Sequence, residues 1–223
     1  MKQLLIIVQL FFSIQLMGLT ASFNATVTSG CVPLVVDFTD ATTGGSPISW
    51  DYDFGDGGSS TAQNPRYTFT KPGTFKVEMT VYDGSVYSKY SVFILVRKNP
   101  AANFTSSKNS YCPGEIVSFT NTTIPGDTTV KTTAWDFGDG NVTNSNGNVS
   151  KTYNNAGNYT IKMTVRDNFN CASTISKTAF ITINPKPTPA FSYIAKYSCV
   201  APQKVNFSNN SGNSVSYVWD FGD

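Results

Sequence analysis

The stretch that decides the fold is WDYDFGDGG, residues 50–58. Its aspartates, at positions 51, 53 and 56, alternate with aromatic residues and glycines, a mixture found in calcium loops, in acidic catalytic pockets and in tight turns. The same letters return as AWDFGDGN at 134–141 and as VWDFGD at 218–223. Such a motif is either a site present in several copies or a turn that a repeated fold requires several times.

The motif belongs to a longer internal repeat. Its phenylalanines, Phe54, Phe137 and Phe221, are separated by 83 and 84 residues. Upstream, each repeat has a phenylalanine followed eight residues later by a cysteine: Phe23 and Cys31, Phe104 and Cys112, Phe191 and Cys199. Downstream, FTKPGTFKVEMTVYD (69–83) aligns without a gap to YNNAGNYTIKMTVRD (153–167). This period indicates a tandem array of two complete repeats and the front part of a third.

Each repeat has the pattern of successive short β-strands. In TFKVEMTVY (74–82), apolar and polar residues alternate with the period of two expected of a half-buried strand. KYSVFILV (89–96) and TAFITI (178–183) are rich in β-branched and aromatic residues. Turn residues interrupt the pattern about every 8 to 12 residues, and no segment after residue 22 has helical periodicity with caps. We therefore predict an all-β protein built of tandem β-sandwiches, the third of them truncated.

The aromatic residues of the motif predict a stripe that faces the core. Alignment on the phenylalanines places Trp135 and Trp219 two positions earlier, with Tyr52 in their place in the first repeat. Side chains two positions apart share one face of a strand, so these aromatics point inward while Asp51 and Asp53 point away.

The glycines and the aspartate between them predict a tight turn. Glycine supplies the positive φ needed where the chain reverses, and an aspartate at this place hydrogen-bonds its own turn backbone. We interpret the motif as structural. Its residues are Tyr52, Asp53, Phe54, Gly55, Asp56, Gly57, Trp135, Asp136, Phe137, Gly138, Asp139, Gly140, Trp219, Asp220, Phe221, Gly222 and Asp223.

Composition excludes several classes of function. Only 13% of the residues are charged, the formal net charge is +2, and basic residues form no cluster, so nucleic-acid binding is not expected. The absence of histidine excludes His-based catalysis and the commonest zinc sites. Four cysteines without CxxC spacing are too few for a disulfide-dense miniprotein.

The N-terminus has the features of an export signal. A basic start is followed by the apolar run LLIIVQLFFSIQLMGL (4–19) and by the small residues TAS (20–22). The run is shorter than the roughly 20 residues of a membrane span. We predict a signal peptide over 1–22, with Phe23 as the first residue of the first repeat; the alternative is a buried element of that repeat. Export would place the mature chain where disulfides are permitted.

The repeated motif resembles that of PKD domains, the immunoglobulin-like repeats named after the polycystic kidney disease protein. YDFGDG, WDFGDG and WDFGD, each in register, carry the resemblance, which covers residues 23–223. It implies an immunoglobulin-like, extracellular, non-catalytic module. Such modules occur in bacterial and archaeal surface proteins, secreted proteases, polysaccharide hydrolases and polycystin ectodomains, and the cysteine-bearing repeats resemble those of exported bacterial adhesins. Tyr52 departs from the pattern, which has tryptophan there.

The repeat boundaries give the expected domains. They are a first domain over 23–98, a linker over 99–103, a second domain over 104–184, a Pro-rich linker over 185–190 and a partial third domain over 191–223. The Pro-containing joints favour semi-rigid spacing. Because Asp223 lies inside the turn, and half a sandwich cannot bury its face, we expect the chain to be a fragment of a longer protein.

No cofactor is expected, and calcium is the one ligand that the resemblance suggests. An EF-hand loop has glycine at its sixth position and a distal glutamate, a pattern that residues 51–62 do not match. Some PKD domains of secreted proteases hold calcium near this strand, which makes Asp53 and Asp136 the residues to test. The scattered acidic residues do not suggest the paired carboxylates of a glycosidase.

The cysteines suggest one disulfide. Cys112 precedes the second strand of its repeat and Cys171 follows the sixth, and similar repeats carry cysteines at these two places. Strands two and six face one another in such sandwiches, so a bridge is expected if their Cα atoms lie within about 7 Å. Tyr87 occupies the position of Cys171 in the first repeat, which leaves Cys31 without a partner, and Cys199 also stays unpaired.

The surface offers two further features. Tyr82, Tyr87 and Tyr90 are candidates for stacking on sugar rings, although tyrosines on a sandwich are more often half-buried. Sequons such as Asn103-Phe104-Thr105 would carry glycans only in a eukaryotic source.

The sequence predicts a non-enzymatic, secreted or cell-surface module that acts as a spacer, an adhesion region or a contact region. Its partner would be an extracellular protein or polysaccharide, not a nucleic acid, and the mature part would not span a membrane. The alternative is an accessory region of a secreted protease or polysaccharide hydrolase whose catalytic domain lies elsewhere.

Overall fold

A computed structural model describes residues 18–195 and 201–222. Most of the predicted signal peptide, as well as Cys199 and Asp223, lies outside these residues. The described residues contain strands and no helix, which confirms the all-β prediction. They form two compact units: residues 18–99 together with Phe169–Cys171, and residues 100–168 together with 172–222.

The first unit is a β-sandwich of two sheets. A three-stranded sheet has the order β1-β3-β6 and a five-stranded sheet the order β2-β8-β7-β4-β5. All pairs are antiparallel except β2 with β8, which is parallel. The strands are β1 (Phe23–Ala25), β2 (Ser29–Cys31), β3 (Leu34–Asp40), β4 (Ser49–Asp53), β5 (Ser59–Ser60), β6 (Arg66–Phe69), β7 (Gly73–Tyr82) and β8 (Tyr87–Arg97).

The core of the first unit follows the period of two along its strands. On β7, Val77, Met79 and Val81 are fully buried while the residues between them are partly exposed. They meet Phe38 and Phe69 from the other sheet in one apolar cluster. Alternation therefore decides which face of each strand is buried.

The core also includes residues ahead of Phe23. Ala21 is buried and its N–H donates to Ser88 Oγ at 2.9 Å. Thr20 exchanges two backbone hydrogen bonds with Thr43, at 2.8 and 3.0 Å. Residues ahead of Phe23 thus join the first sandwich, through an extra bridge before β1.

The second unit contains a sandwich of the same topology. Its sheets have the orders β14-β11-β9 and β10-β16-β15-β12-β13, again with one parallel pair, β10 with β16. The strands are β9 (Phe104–Ser106), β10 (Ser110–Tyr111), β11 (Ile116–Asn121), β12 (Val130–Asp136), β13 (Val142–Asn144), β14 (Val149–Thr152), β15 (Gly157–Asp167) and β16 (Ala172–Ile183). Trp135 lies opposite Met163 as Tyr52 lies opposite Met79, so the repeats share one register.

In the described residues of the third repeat, the strands are one antiparallel pair, β17 (Phe191–Ala195) and β18 (Val205–Asn209). Its core-type residues Phe191 and Phe221 are 60% and 62% exposed, whereas the equivalent Phe23 and Phe54 are buried. The phenylalanines differ in exposure because β7 and β8 cover the core of the first repeat, whereas the described part of the third repeat has no equivalent hairpin.

Candidate functional site

In the first two repeats, the aromatic residues of the motif lie in the cores. Tyr52, Phe54 and Trp135 have no exposed surface, and Phe137 is 3% exposed. Trp135 Nε1 donates to Ser145 O at 3.1 Å, which satisfies its buried N–H. Large buried aromatics with satisfied polar atoms are packing anchors, so these side chains are unavailable to a ligand.

The hydroxyl of Tyr52 is also hydrogen-bonded within the fold. Its hydroxyl donates to Gln63 O at 3.2 Å. Burial, together with the nearby carboxylate of Asp40, raises the pKa of Tyr52 to about 12. The phenol therefore remains a neutral donor at physiological pH and acts as a structural substitute for the motif tryptophan.

The first motif aspartate begins the turn in all three repeats. Oδ1 accepts the N–H of the glycine two residues later, and the distances are 2.8 Å for Asp53, 3.0 Å for Asp136 and 2.9 Å for Asp220. This is the local side-chain-to-backbone bond of an Asx turn. One oxygen of each of these carboxylates is thus occupied by the backbone.

The second motif aspartate closes the same turn. Asp56 Oδ1 accepts from Gly58 N at 3.1 Å and from the Tyr67 hydroxyl at 2.8 Å. Asp139 Oδ1 accepts from Asn141 N at 3.1 Å, and its Oδ2 lies 2.7 Å from Lys151 Nζ. Burial tends to raise the pKa of Asp139, but hydrogen bonds from Lys151 and Asn141 outweigh it and hold that pKa below its usual value.

The first glycine of the turn is required for two reasons. Gly55 and Gly138 have φ of 79° and 72°, in the left-handed region that favours glycine. A Cβ at these positions would lie 2.6 Å from Lys76 O and 2.5 Å from Thr160 O, respectively. The turn therefore packs directly on the backbone of the neighbouring strand.

The described residues offer no preformed metal cluster. Within 18–195 and 201–222, no group of three or more His, Cys, Asp or Glu side chains could hold a metal ion. Asp53 and Asp136 are exposed or partly exposed turn residues. Calcium binding at these two positions stays a prediction.

The structure corrects the predicted disulfide. Cys171 is bonded to Cys31, with Cα atoms 5.4 Å apart and a sequence separation of 140. Cys112 is exposed and unpaired. The predicted Cys112–Cys171 bridge fails because the two residues lie at opposite ends of β16: Tyr111 pairs with Ile183 at its end, whereas Cys171 directly precedes its start at Ala172. At about 3.3 Å per residue, the strand separates them by roughly 35 Å.

The turn that carries Cys171 belongs to the first compact unit. Cys171 is fully buried, and the guanidinium of Arg97 lies 3.6 Å from the ring centroid of Phe169. A cation over an aromatic face adds attraction beside the covalent bond. The sequence did contain a signal for this pairing, because the cysteine after the first strand occurs in every repeat while the turn cysteine occurs first in the second.

Of the three surface tyrosines, the structure brings two together. The rings of Tyr82 and Tyr87 are stacked, with centroids 4.3 Å apart and an interplanar angle of 21°. They lie opposite each other on β7 and β8, on the face turned away from the core, and Tyr87 is 71% exposed. Tyr90 points to the other face and packs edge-on against Phe23 at 5.2 Å.

These features define a class of protein: a tandem array of immunoglobulin-like sandwiches whose repeated motif builds the fold. The family model of the PKD domain matches residues 19–92 and 97–183. The chain belongs to the PKD-domain family, which confirms the resemblance. Domains of this family are generally non-catalytic modules that occur in extracellular proteins.

Two solved structures are similar to single repeats. The PKD1 domain of the Vibrio cholerae metalloprotease PrtV is 28% identical, with 35% of this chain and 95% of that chain covered and a TM-score of 0.32. The PKD1 domain of Vibrio anguillarum Epp is 30% identical, with 39% and 98% covered and a TM-score of 0.34. Among the described residues, no helix is long and apolar enough to cross a membrane.

Proposed function

We propose that this chain is a non-enzymatic, extracellular spacer and contact region of a larger exported protein. Its disulfide would limit how far the chain extends under tension. The observation that carries the proposal is the Cys31–Cys171 disulfide, which closes a loop across a sequence separation of 140. The motif supports it, since in the first two repeats its aspartates form turns and its aromatic residues are buried in the cores.

The bridge changes the path that a pulling force takes. Tension applied at residue 18 and at residue 195 passes from Cys31 directly to Cys171 through the covalent bond. The residues between them, which form most of both sandwiches, bear no load. Fully extended, these residues would span roughly 460 to 500 Å. While the disulfide is intact, they cannot extend and add this length to the chain.

Export is supported by the same bond and by the N-terminal sequence. Structural disulfides persist in oxidising compartments, and the apolar run at 4–19 has the length and flanks of a signal peptide. The rival function is that of an accessory region of a secreted protease or polysaccharide hydrolase. The full open reading frame would separate the two: further repeats beside this region would support the spacer, and a catalytic domain would support the accessory region.

The stacked pair Tyr82 and Tyr87 is the candidate contact point for a polysaccharide or an extracellular protein. The exposed ring of Tyr87 and the partly exposed ring of Tyr82 offer an apolar platform on the outer face of the sheet. Affinity electrophoresis against a panel of polysaccharides tests the first partner. Retardation by one polysaccharide that is lost in Tyr82→Ala/Tyr87→Ala and kept in the exposed control Tyr193→Ala supports carbohydrate contact; equal mobility of all three proteins on every gel argues against it.

Single-molecule force spectroscopy tests the load-bearing role. The oxidised chain, held at its two ends, should release only the length outside the bridge. Reduction, or the double change Cys31→Ser/Cys171→Ser, should add roughly 460 to 500 Å of releasable length. Cys112→Ser is the matched control and should leave the oxidised trace unchanged. An oxidised chain that releases the full length would overturn the proposal.

A further inference from the structure

The cysteines of the array recur at one position of the repeat, and the Cys31–Cys171 disulfide shows what that position can bond to. Cys31, Cys112 and Cys199 each lie eight residues after the first phenylalanine of their repeat. Cys31 is bonded to Cys171, which lies in the hairpin turn between β15 and β16 of the following repeat. Cys112, one repeat later, is exposed and unpaired.

Cys31 and Cys112 occupy equivalent places in their sandwiches. In the first, β2 runs parallel to β8 with Gly30 opposite Val96; in the second, β10 runs parallel to β16 with Tyr111 opposite Ile183. Each cysteine directly follows that pair in the sequence. Both therefore lie at the edge of the five-stranded sheet, where its longest strand ends.

The surroundings of the two cysteines differ in one respect. At Cys31, the turn Phe169–Cys171 is in place, held by the disulfide and by Arg97 on the Phe169 ring. Beside Cys112 there is an open cleft of about 340 Å³, lined by Pro113, Gly114, Pro185 and Pro187 among others. The equivalent position is thus filled in the first sandwich and open in the second.

We propose that Cys112 is the covalent attachment site for the hairpin-turn cysteine of the third repeat, so that bridges run from each repeat to the next. The sequence of the third repeat runs to Asp223, ahead of that turn. A bridge within one repeat is opposed by geometry, because the last strand separates the two cysteines by roughly 35 Å.

The chemistry of the step is ordinary thiol oxidation. The Sγ–Sγ bond forms as the two cysteines together lose two protons and two electrons. The acceptor is a disulfide such as oxidised glutathione, which is reduced to two thiols by thiol–disulfide exchange. An exposed thiol such as Cys112 is accessible to this exchange.

The repeat itself provides the test. Residues 135–139 and 219–223 have the same sequence, WDFGD. A copy of residues 140–184 can therefore follow Asp223 in register, which completes the third sandwich and supplies a copy of Cys171. The extended chain is refolded in a glutathione redox buffer, so the result does not depend on whether the protein is exported or bears load.

Peptide mapping should link Cys112 to the appended cysteine and Cys31 to Cys171, with Cys199 as the one remaining thiol. Cys112→Ser should raise the count from one thiol to two, and Cys199→Ser should lower it to none while the Cys112 link persists. A link from the appended cysteine to Cys199, an unlinked Cys112 or a scrambled set of links would overturn the proposal.

Discussion

Cys31 and Cys171 are neighbours in space, with Cα atoms 5.4 Å apart, although 140 positions separate them in the chain. Cys31 is the last residue of β2, and Cys171 directly precedes β16. The bond therefore encloses most of two sandwiches.

The disulfide should contribute strongly to stability. A loop of this length corresponds to about 5 kcal/mol in the loop-entropy model, and measured values usually fall between about 2 and 5 kcal/mol. We expect Cys171→Ser to lower the free energy of unfolding by that amount in urea denaturation. Cys112→Ser should have little effect. Peptide mapping that finds Cys171 linked to Cys112 in the native chain would contradict the structure.

Trp135 should be a core anchor. It is fully buried and packs edge-on against Phe104, with ring centroids 5.3 Å apart. Trp135→Ala should cost about 3 to 5 kcal/mol of unfolding free energy, as other large-to-small core changes do. Val142→Ala, at a site that is 74% exposed, is the control and should stay within about 0.5 kcal/mol. Equal losses in the two variants would show that Trp135 does not support the core.

The two glycines of the second turn should differ in tolerance. Gly138 and Gly140 both have positive φ, 72° and 85°, so alanine costs about 1 to 2 kcal/mol at each. A Cβ at Gly138 would lie 2.5 Å from Thr160 O, whereas one at Gly140 meets nothing within 4 Å. Gly138→Ala should therefore cost about 1 to 3 kcal/mol more than Gly140→Ala in chemical denaturation. Equal losses of unfolding free energy in the two variants would mean that the backbone at Thr160 shifts to accommodate the added Cβ.

Much of the fold and of the repeated turn could be predicted from the sequence, because both follow from patterns between residues close in the chain. The alternation around Trp135 identifies its buried face, and the Asp-Gly spacing identifies the turn. The failure of the Cys112–Cys171 bridge could not be read from these local patterns, since they do not show that β10, and with it Cys112, lies beside the end of β16 far from Cys171. The position of Tyr90 against Phe23 was likewise hidden, because it depends on packing between sheets.

Asp139 should make stability depend on pH on the acid side. Its pKa is held below the usual value, because hydrogen bonds from Lys151 and Asn141 outweigh the effect of burial. The stability that the ionised form adds is complete above the ordinary pKa of about 3.9 and is lost as the pH falls through the lowered folded value. Asp139→Asn should cost about 1 to 2 kcal/mol at pH 7.

Thermal unfolding from pH 7 to pH 2 measures this dependence. The gap in Tm between the native protein and Asp139→Asn should narrow below about pH 4, as the native carboxylate becomes protonated. The same substitution at the exposed Asp51 serves as the control. A gap that stays constant over the whole range would show that the charge of Asp139 does not stabilise the fold.

The residues just before Phe23 should be part of the first sandwich. Thr20 and Thr43 exchange two backbone hydrogen bonds, and the buried Ala21 donates to Ser88 Oγ. At about 0.5 to 1.5 kcal/mol for each hydrogen bond, a chain that begins at Phe23 should be less stable than one that begins at Gly18 by about 2 to 4 kcal/mol. Urea denaturation of the two chains measures the difference, and Ser88→Ala isolates the Ala21 bond. Equal stability of the two chains would show that the residues before Phe23 are not part of the sandwich.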